Sequence, residues 1–200
     1  MADTKISALT AASLPLDGTE LLVVVQGGTS KKITKADFSV IDAVKTLTST
    51  QADSTGTAVA ATQLASTLGV GTYLVKCWIV YQAAATTTGI QMYLAHTGTA
   101  TRLAATWYTL TTGTTASSGV ADQATTLTAQ VMEGKGQRAN NVASGPTQGV
   151  DTAAADQFAV MEGIITVTVS GTLNFMFNTE VAASAVTLQI GSSLVLTKVI

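Results

Sequence analysis

The sequence predicts an all-β protein, a sandwich or barrel, and three observations carry that prediction. Only 11% of the 200 residues are charged while 46% are hydrophobic, against roughly 25% charged in ordinary soluble domains. Thr, Ala, Ser and Gly fill the difference; helices rely on Lys, Glu and Arg for i,i+4 pairing, whereas Thr and Val suit a pleated surface. From Gly71 onward, short apolar segments recur between Gly-, Thr-, Asn- and Ser-rich turns, the spacing of a sandwich or barrel. Finally, Leu173, Phe175 and Phe177 alternate with Asn174, Met176 and Asn178, as a half-buried strand does.

Along the chain, residues 1–46 form a distinct N-terminal segment carrying Lys5, Lys31, Lys32, Lys35 and Lys45, half of the ten basic residues. Pro15 and Asp17-Gly18 make a turn, Glu20 to Gln26 a strand, Gly27-Gly28 a second turn, and Lys31 to Ile33 a returning hairpin partner. Thr34 with Asp37 resembles a capping box, and Phe38, Ile41, Val44 and Leu47 recur at helical spacing, so a short helix is expected over 35–46. Residues 47–70 read as a Thr- and Ala-rich linker running into a first strand, and 71–200 as the core domain.

Within that domain Tyr73 to Tyr81 is almost continuously apolar, which predicts a strand in mid-sheet with both faces covered, apart from Lys76. Ile90 to Ala95 and Leu103 to Leu110 read as a hairpin turning at His96 to Thr99. The region from Thr111 to Ala155 reads as surface loops with one strand near Thr125 to Met132. Gln157 to Val169, Leu173 to Asn178 and Leu194 to Val199 complete the strands. The alternation in the last places Leu194 and Leu196 on a common core face, with Thr197 opposite.

Candidate chemistry is sparse. His96, the one histidine, lies in a predicted turn with no nucleophile elbow nearby, so a paired or exposed imidazole is expected in place of a catalytic base. The glycine clusters at Gly28 to Lys32 and Gly134 to Gly136 lack the strand-turn-helix setting of a phosphate loop and read as turns. Asp151, Asp156 and Glu162 could offer oxygen ligands to a hard cation, but their spacing fits no known calcium loop and turn capping is the expected role. Glu133, Lys135 and Arg138 read as surface pairs. No catalytic, cofactor or metal residues are therefore assigned, and no cofactor is expected.

A net charge of -2 leaves no electropositive stripe for nucleic acid, and no apolar run approaches a membrane-spanning length. No secretory signal is recognised either, so a soluble, unprocessed chain is expected. Cys77, the one cysteine, reads as a buried structural thiol. Trp78, Trp107, Tyr73, Tyr81, Tyr93 and Tyr108 sit within apolar strands, so core or subunit-interface packing is expected ahead of a sugar-stacking platform.

The opening KISALTAASLPLDGTELLVVVQGGTSKKITKADF resembles the N-terminal segment of tailed-phage virion proteins. The stretches GTYLVKCWIVYQAAATTTGIQMYLAHTG, GPTQGVDTAAADQFAVMEGIITVTVSGTLNF and GSSLVLTKV resemble the jelly-roll domain of phage fibre and decoration proteins, itself similar to C1q and tumour-necrosis-factor trimers. The resemblance implies a jelly-roll homotrimer with a small N-terminal hairpin and short-helix attachment segment, and no enzymatic activity. Residues 1–46 would bind another virion protein, with 71–200 as the trimerisation domain. A particle-surface head decoration is the expected role, because only a short linker stands where a fibre would have a shaft. The alternatives are a short tail or collar adhesin recognising host glycans, or a depolymerase.

Overall fold

The computed structural model describes residues 21–26, 29–34, 41–112, 130–143, 145–147, 149–150 and 152–199. The chain divides into two compact units, Met1–Val40 and Ile41–Ile200. In the first, β1 (Leu21–Gln26) and β2 (Thr29–Thr34) pair antiparallel with Val24 opposite Lys31. This is the hairpin expected around Gly27-Gly28.

The second unit is an all-β sandwich of the jelly-roll type. Its strands are β3 (Ile41–Thr46), β4 (Gln51–Asp53), β5 (Val59–Leu68), β6 (Gly71–Ala83), β7 (Ile90–His96), β8 (Thr99–Thr112), β9 (Gln130–Gln137), β10 (Gln157–Val169), β11 (Gly171–Thr179), β12 (Val186–Leu188) and β13 (Ser193–Lys198). The large sheet runs β3-β13-β6-β10-β8-β9, with β12 pairing the end of β6 and also β4; the small sheet runs β5-β11-β7.

The period-2 pattern explains the core. Strand β6 buries Tyr73, Val75, Cys77, Ile79, Tyr81 and Ala83, while β11 sends Leu173, Phe175 and Phe177 into the same core. Full burial of a large apolar side chain stabilises by about 1.5–3 kcal/mol, so one continuous interior of this size suffices for a single domain. Trp107 is also wholly buried, on β8. Where β12 gives way to β13 beside β6, the buried Ser192 hydroxyl stands in for a strand: it accepts from the Val80 N–H at 3.0 Å and donates to the Val80 carbonyl at 3.1 Å. Strand β13 lies between β3 and β6, with Leu194 and Leu196 fully buried, as the alternation predicts.

Several expectations are corrected. Residues 41–46 of the expected helix form strand β3, with Val44 opposite Val195 on β13; residues 35–40 lie outside the described set. Pairing with the otherwise open edge of β13 overrides a helical spacing resting on four residues. That strand belongs to the second compact unit, and the 47–70 stretch contributes both β4 and β5.

Strands β7 and β8 are consecutive but make no hairpin: β7 pairs β11 in the small sheet, and β8 pairs β10 and β9 in the large one. The 97–98 connection crosses between sheets, a step as short as a hairpin turn. Glycine is required at this corner, because a Cβ on Gly98 would fall 2.2 Å from the Val169 carbonyl oxygen. Gly134 to Gly136 is strand, not turn, inside β9, which extends to Gln137, beyond the expected Met132. The part of the expected strand before Gln130 lies outside the described residues.

A candidate assembly surface

Among the described residues, only one face of strand β6 is covered, contrary to the expectation of two. Its outward residues Leu74 and Trp78 are 49% and 38% exposed. Antiparallel register assembles their neighbours in rows across the sheet. One row reads Trp78, Val160 and Tyr108 on β6, β10 and β8; the next reads Val44, Val195, Lys76, Glu162, Thr106 and Gly136; a third reads Thr197, Leu74, Ile164 and Ala104. Phe158 lies beyond the first row, opposite Val80.

Relief on this face follows from side-chain size. Trp78, Tyr108 and Phe158 stand out, Tyr108 and Phe158 being 43% and 54% exposed, and Val160 is covered beneath its aromatic neighbours at 8%. Towards β9 the outward positions hold Ala104, Thr106 and Gly136, and these small residues help line a depression of about 510 Å³ with Leu74, Glu162 and Ile164. A second depression of about 350 Å³ lies on the other side, between Leu74, Lys76, Glu162, Val195 and Thr197. Gly163 borders both, and a Cβ there would meet Ala105 Cβ at 2.8 Å.

The two charges at the centre of the face pair with each other, while Arg138 helps line the larger depression. Lys76 Nζ lies 2.7 Å from Glu162 Oε1 and 5.2 Å from the Trp78 ring centroid. The hydrogen bond to Glu162, aided by the carboxylate's charge, raises the Lys76 ammonium above its usual range. Both partners are well exposed, so solvent screens the pair and it contributes little to folding. Its effect is to leave an apolar surface without a net charge at its centre.

The other residues singled out by the sequence scatter. Tyr73, Tyr81 and Trp107 are core residues, and Tyr93 is half-buried on β7. Cys77 is buried in the core, which pushes its thiol far above the ordinary range. His96 is neither exposed nor, among the described residues, cross-strand paired through its ring: it ends β7 at 1% exposure, with no described partner on Nδ1 or Nε2. It faces inward because it shares the parity of the buried Ile90, Met92 and Leu94 on β7. Asp156 accepts a hydrogen bond from Gln82 at 2.9 Å, while Glu162 is held by Lys76 on another strand. Asp151 lies outside the described residues. Glu133 and Lys135 fall within β9, and Arg138 follows it. Among the described residues no group of three His, Cys, Asp or Glu could hold a metal ion, and no helix is long and apolar enough to cross a membrane.

Sequence reasoning missed Val44, Leu74 and Phe158 as surface residues. The signal was present: β6 and β10 are apolar at both parities, which marks a second apolar face without saying what covers it. No protein-family profile, curated protein or solved structure matches this chain.

Proposed function

We propose that this chain is a non-enzymatic structural protein of a bacteriophage particle, a head decoration that self-assembles through the outward face of its large sheet. The observation that carries the reading is that face: apolar, neutral at its centre, and furnished with aromatic projections beside troughs of small residues. Five strand spacings of about 4.8 Å by about 26 Å of β10 give roughly 600 Å² in projection, comparable with the roughly 800 Å² per partner of a stable interface. A second copy supplies matching relief, because each carries both projection and trough. The phage assignment and the trimeric state rest on the sequence resemblance, and the residues before Ile41 are the proposed attachment to another virion protein. Among the described residues β1 and β2 form a two-stranded sheet, whose edges suit strand addition by such a partner.

Sedimentation of the full chain tests the reading. The parent is expected to be a trimer at micromolar concentration and Trp78→Ser/Phe158→Ser a folded monomer. A monomeric parent overturns it. The exposure of Trp78, Tyr108 and Phe158 also favours a second reading, a glycan adhesin; saturable glycan binding by a monomeric parent, lost in the same variant, would establish that alternative. Deleting residues 1–40 should leave a folded protein that no longer joins particles.

A further inference from the structure

Alternate residues of an edge strand turn their N–H and C=O groups away from the sheet, leaving a template for another strand. The small sheet has two such edges, β5 and β7. Proteins commonly guard edges with charge or proline, yet the β5 sequence VAATQLASTL and the β7 sequence IQMYLAH contain neither. Both are neutral segments of the kind that pair readily with one another.

Side-chain amides occupy these edges instead. On β7, the Leu94 N–H donates to Gln137 Oε1 at 2.8 Å, and Gln137 Nε2 donates back to the Leu94 carbonyl at 2.6 Å. Asn140 repeats the arrangement one ladder step along: its Oδ1 accepts from the His96 N–H at 2.8 Å and its Nδ2 donates to the His96 carbonyl at 2.9 Å. At Ile90, the backbone N–H of Thr147 and its hydroxyl serve the same purpose. On the opposite edge, Gln51 Nε2 donates to the Ala60 carbonyl at 2.6 Å, and Gln51 Oε1 accepts from the Thr62 N–H at 3.1 Å. A primary amide offers a carbonyl and a coplanar N–H on the same side, so each side chain imitates the N–H and C=O that one residue of a neighbouring strand presents. Gln137 is itself buried, with its second N–H donated to the Ala139 carbonyl, so its placement leaves no polar atom unsatisfied.

We propose that Gln51, Gln137 and Asn140 are edge caps that hold shut two latent strand-addition sites, whose occupant on opening is an extended segment of a second copy of this chain. Assembly is thereby confined to surfaces other than the small-sheet edges. The proposal is independent of the large-sheet face, because association is read as a change from the parent's own oligomeric state.

The test uses the full chain and amide hydrogen exchange. In Gln137→Ala/Asn140→Ala, the Leu94 and His96 amides are expected to exchange about tenfold faster or more in dilute protein. As concentration rises, the variant should form higher oligomers in which those two amides regain protection. Unchanged exchange at these residues overturns the proposal, as does faster exchange with the parent's oligomeric state retained up to the solubility limit. The opposite edge provides a check should the double variant fail to fold. Gln51→Ala should speed exchange at Thr62 and promote association, whereas Gln51→Glu, whose carboxylate still accepts from the Thr62 N–H but repels an incoming strand's carbonyls, should not associate. Equal association of the two Gln51 variants overturns the proposal.

Discussion

Asp53 is the buried carboxylate whose removal most directly probes how the sandwich is pinned together. It is 4% exposed at the end of β4, and four neutral donors converge on it. Oδ1 accepts from the Thr55 N–H at 3.1 Å and the Thr55 hydroxyl at 2.7 Å; Oδ2 accepts from the Gly56 N–H at 3.3 Å and the Thr179 N–H at 3.0 Å. The carboxylate thus closes the turn after β4 and ties it to the end of β11. In Asp53→Asn one oxygen becomes an NH2 group, which cannot accept from the two donors on its side. The buried Thr179 N–H or the Thr55 pair is then orphaned. Hydrogen bonds to a charged group contribute about 1.5–3 kcal/mol each, and an unsatisfied buried donor costs about 1–3 kcal/mol. With partial relaxation the expected loss is about 2–4 kcal/mol, measured by urea unfolding at neutral pH and fixed subunit concentration.

The same residue makes a pH prediction. Burial pushes the Asp53 carboxyl up, but the hydrogen bonds from Thr55, Thr179 and Gly56 together outweigh it and hold the group below the usual Asp value. A depressed folded-state value means that the carboxylate's stabilisation is fully present above the unfolded value of about 3.9 and is lost as pH falls through the lower folded one. The gap between parent and Asp53→Asn should therefore be constant from neutrality to about pH 5 and shrink below about pH 4. A variant within about 0.5 kcal/mol of the parent at pH 7, or a gap unchanged in acid, refutes the reasoning.

Three further outcomes are expected. Leu194→Ala and Leu196→Ala, which empty fully buried positions on β13, should each cost about 2–5 kcal/mol in thermal or urea unfolding; Thr197→Ala, on the outward face, should lie within about 0.5 kcal/mol of the parent. Because both ring nitrogens of His96 are buried with no described partner, His96→Leu should be neutral or stabilising by about 1–2 kcal/mol, and a clear loss on calorimetry would show that the ring is satisfied. Cys77 is wholly buried with its thiol pushed up, so thiol reagents at neutral pH should label it only at the rate of unfolding; labelling as fast as a free thiol would place it elsewhere.

Local chemistry in the sequence determined the fold class, most of the strands and much of the core. Scarce charge excludes long solvated helices, and the parity of Leu173 to Phe177 and Leu194 to Leu196 places side chains on one face or the other, because the two-residue period is a property of the strand itself. Which strands meet is not local. The turn at 97–98 is compatible with a hairpin or a crossover, and only the pairing of β7 with β11 and β8 with β10 decides between them. Ile41 to Thr46 is likewise a strand because the edge of β13 is there to receive it. The assembly face shows the same division. Apolar residues at both parities of β6 and β10 were legible as an excess, but what covers the second face depends on what packs above it, and among the described residues Leu74, Trp78 and Phe158 stay exposed. The caps were wholly hidden, because Gln137 and Gln51 are ordinary polar residues until the fold sets their amides against Leu94, Ala60 and Thr62. A hydrogen bond between residues 43 positions apart is specified by tertiary geometry, which no local pattern encodes.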